Sequence, residues 1–169
     1  SMVVGSNRST VAMRIGLAPM IVGDITTKHP ASVPPREQCV LPAMLEAQAQ
    51  RYANKSLIVF EGDEQWTYSQ ASCIARETAA ALQRLGVKRS EPVLVWLPST
   101  SDIVRLHFGL CYLGAIFVPI NLALKGSVLQ HIIVDSGSTT LICHAELAPR
   151  LEAISLGALN RIVMLGGPA

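Results

Sequence analysis

The chain has few aromatic residues: two tryptophans, three tyrosines and three phenylalanines in 169 positions. That is too few for the stacking platforms on which single-stranded nucleic acids lie. Its charge is sparse and nearly balanced, with 14 basic against 12 acidic residues. No Lys/Arg cluster occurs, so the electrostatic footprint of a nucleic-acid binder is missing. The four cysteines, Cys39, Cys73, Cys111 and Cys143, form no Cys-x-x-Cys pair. Neither a zinc site nor a thioredoxin-like redox motif is therefore indicated. Three of them fall inside apolar periodic segments and read as small core hydrophobes. No apolar run approaches the ~20 residues of a membrane span. The mildly apolar stretch from Val11 to Val22 is broken by Arg14, Gly16 and Pro19 and makes a poor export signal. A cytoplasmic location is expected on these grounds.

Sites for catalysis are also lacking. Gly109 and Gly114 have the glycine spacing of a phosphate loop, but Ala115 and Ile116 stand where Lys and Ser/Thr are required. The two glycines read instead as a close helix contact and a helix stop. No Gly-x-Ser-x-Gly elbow anchors a hydrolase triad. His29, His107, His131 and His144 have no partners at metal-ligand spacing, and structural or surface roles are expected for them. The carboxylates Glu61, Asp63 and Glu64 read as a solvated turn rather than an acid/base pair. No catalytic or metal-binding residue is assigned, and no cofactor is expected on this chain by itself.

What remains is hydrophobic pattern. Half of the residues are apolar and mean hydropathy is +0.37, which argues against disorder and for an apolar face that expects a partner. Residues 1–38 carry Gly5, Gly16, Gly23, Pro30, Pro34 and Pro35 without a sustained period. They read as an extended arm ending in a Pro-rich linker. Residues 39–169 read as one α/β subdomain, and an incomplete one. A first helix starts near Pro42 and ends near Asn54. The runs at 57–60 and 65–68 form a hairpin around the 61–64 turn. Ser69 is the expected cap of a helix to Leu85, stopped by Gly86. Pro92 to Leu97 is apolar without alternation, the signature of a parallel strand buried on both faces. Ser99-Thr100-Ser101-Asp102 fits a capping box for the next helix, which Gly114 ends. Strands are expected at 115–119, 139–143 and 161–165, with helices capped by Ser127 and running from Glu146 to Ile154. This alternation implies βαβ units around a mostly parallel sheet with flanking helices.

Ligand chemistry in open α/β sheets sits on loops at strand carboxyl ends. Ser99, Thr100 and Asn121 occupy such loops and are the candidate contributors to a ligand channel. The plainer reading makes Ser99 an N-cap and Asn121 a turn former.

The order of segments carries a resemblance. Trp66-Thr67-Tyr68-Ser69-Gln70-Ala71 resembles the T-Y-x-E-L opening of acyl-CoA synthetases in the adenylate-forming superfamily. Val93 to Ser99 resembles the family's next strand and turn. Leu113-Gly114-Ala115-Ile116-Phe117-Val118-Pro119-Ile120-Asn121 resembles its G-A-x-x-x-P-x-N segment. The match extends over about residues 40 to 166. Gln70-Ala71 departs from the usual Glu-Leu, and Ser99-Thr100 stands where Asn-Ser is common. The resemblance implies the first subdomain of the large domain of an ATP-dependent acid–thiol ligase. Carboxylate, ATP and CoA would give acyl-CoA, AMP and pyrophosphate, with Mg²⁺ assisting. The family's Ser/Thr/Gly-rich loop and its carboxyl-terminal Lys are not in this sequence, so the chain alone is expected to be inactive. The implied role of Ser99, Thr100 and Asn121 is to contribute to a substrate or CoA channel, and the implied partner is the remainder of a ligase chain. Two other readings stay open: an interaction or small-ligand module that self-associates through an apolar face, and a flavodoxin-like binding domain argued from fold alone.

Overall fold

A computed structural model describes residues 35–166 of the chain. Most of the arm expected over residues 1–38 lies outside the described residues, as do residues 167–169 at the other end. Arg36–Gln38 form a single exposed 3-10 turn.

The first helix, α1, spans Leu41–Tyr52, with Pro42 in its first turn, where no intrahelical N–H is lost. Strands β1 (Ser56–Val59) and β2 (Gln65–Thr67) pair antiparallel. Their turn is exposed, with Gly62 and Asp63 at φ +83° and +65°. The three carboxylates there are indeed a solvated turn. Trp66 is buried beneath it, edge-on to Phe60 at 4.8 Å, and donates its indole N–H to Glu64 at 3.1 Å.

Helix α2 (Tyr68–Arg84) begins two residues earlier than Ser69 would start it. Thr67 is the cap: its hydroxyl accepts the Gln70 N–H at 3.2 Å, and Gln70 Oε1 accepts the Thr67 N–H at 2.8 Å. This is a reciprocal capping box, and glutamine serves it as glutamate would. Ala71, the other departure from the family pattern, is fully buried, where a small side chain lets neighbouring elements approach.

The main sheet has four strands, β3 (Pro92–Trp96), β4 (Ile116–Pro119), β5 (Thr140–His144) and β6 (Arg161–Leu165). They pair in parallel in the order β4-β3-β5-β6. Side-chain alternation along β3 divides the core. Val93, Val95 and Leu97 face α2 and helix α3 (Ser101–Leu113), together with Leu82, Leu106 and Leu110. Leu94 and Trp96 face helix α4 (Gly126–Asp135), together with Leu129, Ile133 and Cys143. The sheet is therefore covered by helix on both faces, as its continuous apolar strands require.

Gly109 and Gly114 serve packing, as their spacing without Lys suggested. A Cβ on Gly109 would lie 2.5 Å from Thr78 Cγ2 of α2. Gly114 ends α3 at φ +74°, a conformation that costs glycine least.

A third apolar group joins α1, the hairpin and the outer sides of α2 and α3 around Leu45, Trp66, Ala71 and Ala75. A polar hub fastens it. Glu46 of α1 accepts from Ser72 Oγ at 2.8 Å and Tyr112 OH at 2.9 Å, and pairs with Arg76 at 3.4 Å. Burial raises the Glu46 carboxyl, but these hydrogen bonds and the Arg76 charge together outweigh it and hold the group below its ordinary range. Burial and the Glu46 carboxylate push the Tyr112 phenol up to about 12.

Several expected details are corrected. The Glu146–Ile154 helix is a 3-10 helix over Ala145–Leu151, with Pro149 inside it; proline removes the donor an α-helix would need. Helix α4 starts at Gly126 with Lys125 at the cap position, so Ser127 is not its cap. Of the three cysteines read as core, Cys143 is buried and Cys111 half-buried, but Cys73 is exposed on α2. Cys73 Sγ instead meets Glu77 at 3.4 Å one turn away.

Candidate functional site at the carboxyl edge of the sheet

In the order β4-β3-β5-β6 the chain leaves β3 toward one side and β5 toward the other. The crevice outside the carboxyl ends of β3 and β5 is the place where such sheets bind ligands. Ser99, Thr100 and Asn121 all fall on loops at this edge.

The β3–α3 loop runs through Pro98, and the Thr100 N–H donates to the Pro98 carbonyl at 2.9 Å. Thr100, not Ser99, is the N-cap of α3. Its backbone is extended, with φ −118° and ψ 179°, and no side chain caps the helix. The expected capping box at Ser99 is therefore absent. Asp102, expected to complete it, pairs with Arg105 at 3.8 Å. An acidic residue in the first turn still complements the helix dipole.

Freed from capping, Ser99 and Thr100 line an open cleft of about 450 Å³ with Ser101. Its other wall is the hairpin turn: Phe60, Glu61, Gly62 and Glu64. The turn carboxylates were read from sequence as solvated, and they are, but two of them also face these hydroxyls across the cleft. Nothing in the local sequence pairs residue 61 with residue 99; only the tertiary fold does.

Asn121 is not part of that lining. It follows β4, and its Oδ1 accepts the Ala123 N–H at 2.9 Å in an Asx turn. Its carbonyl oxygen accepts the Leu124 N–H at 3.1 Å and the Trp96 indole N–H at 3.2 Å. The turn-forming reading of Asn121 thus describes its contacts. The structure brings Ser99 and Thr100 together and sets Asn121 one strand away, joined to β3 through Trp96.

Among the described residues the cleft lining supplies hydroxyls and carboxylates and no cationic side chain. This lining does not fit a triphosphate, whose oxygens call for Lys, Arg or metal. Among the described residues no group of three or more His, Cys, Asp or Glu is placed to hold a metal ion. His107 is exposed and stacks on Phe117 at 4.6 Å, His131 is exposed, and half-buried His144 lies 3.9 Å from Glu146. Glu91 gathers hydroxyls too, from Thr139 at 2.7 Å and Thr140 at 3.2 Å, but at the amino edge of the sheet. Burial raises its carboxyl, and those bonds with the Lys88 N–H and the Arg161 charge reverse the direction. That cluster secures strand starts.

Residues 45–164 match the family model of the AMP-binding enzymes. The chain belongs to that family. Over 92 residues it is 35% identical to the long-chain-fatty-acid–CoA ligase FadD13 of Mycobacterium tuberculosis, a match covering 54% of this chain and 18% of the ligase. Over 130 residues it is 29% identical to the crotonobetaine/carnitine–CoA ligase of Salmonella paratyphi A, covering 73% of this chain and 25% of that one. Among solved structures, the fatty acyl CoA synthetase of Mycobacterium tuberculosis superposes with a TM-score of 0.67 at 28% identity, over 73% of this chain and 26% of that one. The chain thus spans about a quarter or less of the relatives it matches, in their amino-terminal portion. Its parallel sheet with flanking helices and small hairpin is the amino-terminal architecture of the acyl-CoA synthetases. Among the described residues no helix is long and apolar enough to cross a membrane.

Proposed function

We propose that this chain forms the first α/β subdomain of an ATP-dependent acyl-CoA ligase and that residues 1–169 alone do not turn over. The whole protein would convert a carboxylate, ATP and CoA to acyl-CoA, AMP and pyrophosphate, with Mg²⁺ as its metal. The observation that carries the reading is the family match over 45–164, whose motif segments fall on β2–α2, β3 and β4 in the expected order. The absence of cationic groups, among the described residues, from the cleft at Ser99 and Thr100 supports the second clause. In this reading those hydroxyls and Asn121 border a substrate or CoA channel that other parts of the ligase complete. The remainder of the ligase chain is then the partner, and the cytoplasm, where ATP and CoA are supplied, is the compartment. The test is ATP–pyrophosphate exchange with a panel of carboxylates. We expect none from residues 1–169 and carboxylate-dependent exchange from the longest open frame containing them. Exchange by the short chain would refute its inactivity, and none from a folded long frame would refute the ligase reading.

A second reading is favoured by β6, an edge strand whose Ile162 and Met164 are 40% and 60% exposed. Exposed apolar edges invite pairing. A self-associating module would show concentration-dependent dimers in sedimentation, and a monomer at all concentrations would reject it.

A further inference from the structure

The loop that carries Asn121 is held by more than its own Asx turn. Arg150, on the 3-10 helix after β5, donates from its guanidinium to the Leu122 carbonyl at 2.7 Å and approaches the Leu124 carbonyl at 3.5 Å. The same guanidinium carbon lies 5.9 Å from the centre of the Trp96 ring. Trp96, fully buried at the end of β3, donates its indole N–H to the Asn121 carbonyl. The ends of three strands thus converge on one loop: β3 through Trp96, β4 through Asn121, β5 through Arg150.

The placement of Arg150 follows from its neighbours. Leu151 is buried in the same apolar cluster as Trp96, Cys143 and Leu129, and Leu147 and Leu124 pack against it. Planting Leu151 there anchors the short helix and leaves the preceding side chain to lie over the loop. Arg150 forms no ion pair among the described residues, so its charge is directed at main-chain carbonyls. A planar, five-donor guanidinium suits that task, since it donates from its edge while its face rests on an aromatic ring.

We propose that Arg150 is a positioning residue that fixes the loop 121–125 and thereby sets Asn121 at the carboxyl edge of the sheet. Asn121 meeting ligand rests on the functional reading above; the fixing of the loop does not. The experiment therefore reads the loop directly, by hydrogen exchange of the 169-residue chain. The reporter amides are those of Ala123 and Leu124, both hydrogen-bonded to Asn121. The reference amides are those of Leu129, Ile133 and Leu141 in the core. In Arg150→Ala the two reporters are expected to exchange about tenfold faster, the scale of a lost charge-assisted hydrogen bond. The reference amides should keep their rates. Arg150→Lys keeps the charge without the fork, and should restore part of the protection. Unchanged exchange at Ala123 and Leu124 in Arg150→Ala would overturn the proposal. So would equal acceleration at the core amides, which would make Arg150 a general stabiliser with no special hold on the loop.

Discussion

Gly109→Ala is the sharpest probe of how this fold is assembled. Gly109 is buried in α3 at its contact with α2. The added methyl would lie 2.5 Å from Thr78 Cγ2, 2.7 Å from Thr78 Cβ and 3.2 Å from the Ala79 backbone nitrogen. None of these is the free end of a flexible side chain. Thr78 is further pinned by the bond from its hydroxyl to the Ile74 carbonyl at 2.7 Å. The helices must therefore part, and overpacking of this kind costs about 1–3 kcal/mol. Alanine in a helix returns about 1 kcal/mol over glycine, so the middle of that range leaves a net loss of about 1 kcal/mol. With a urea slope of about 2 kcal/mol per molar, the unfolding midpoint should fall by about 0.5 M. Thr78→Ser removes Cγ2 but keeps Cβ and the hydroxyl. Combined with Gly109→Ala it should recover only part of the loss, since the 2.7 Å contact persists. A Gly109→Ala midpoint equal to or above that of the parent, by far-UV circular dichroism in urea, would refute the reasoning. It would show that α2 and α3 have slack the distances deny.

Other outcomes follow from the polar contacts. Thr67→Ala removes one half of the α2 capping box and should cost about 1 kcal/mol, seen as a fall of about 4 °C in Tm. An unchanged Tm would mean that the cap is idle. The carboxyls of Glu46 and Glu91 are both held below their ordinary range. The stability each contributes is complete above the ordinary value of 4.5 and drains away as pH falls through the lower folded value. Glu46→Gln should therefore flatten part of the loss of stability below that pH, and at neutral pH should cost about 1 kcal/mol, discounted for its exposure. Parallel acid limbs for parent and variant, in urea midpoints measured from pH 7 down to 3, would refute the Glu46 hub.

Much of this fold is legible in the sequence because its strands and helices differ in period. The uninterrupted run from Val93 to Leu97 can only be buried on both faces, and the structure buries all five. Gly86 and Gly114 stop their helices where expected, each at positive φ. Starts of helices were less legible. Thr67 and Ser69 are both capping residues two positions apart, and the choice falls to Gln70, which reaches back to Thr67 but stands too close to Ser69. At α3 the sequence offers Ser99, Thr100 and Ser101 in a row, and the turn imposed after Pro98 selects the middle one. Cys73 fits the apolar neighbourhood of its helix in sequence, yet an α2 packed mainly through Ala71, Ala75 and Leu82 leaves it outside.

The loops of the candidate site were legible in the sequence as positions on the sheet and not as a set of contacts. Loop position follows from topology, so Ser99, Thr100 and Asn121 could all be placed at one edge of the sheet. Which side chains face them depends on pairings between distant segments. Glu61 and Glu64 come from a hairpin about 35 residues upstream of Ser99, and Arg150 comes from a helix nearly 30 residues downstream of Asn121. The charge distribution that results is informative in itself. Carboxylates line the cleft beside β3, while the Arg150 guanidinium is occupied with the carbonyls of Leu122 and Leu124. An edge that is to meet phosphates needs positive charge free to turn toward them. Arg150 holds backbone in place at this edge, so under the proposed ligase reading this subdomain would shape a boundary of the site.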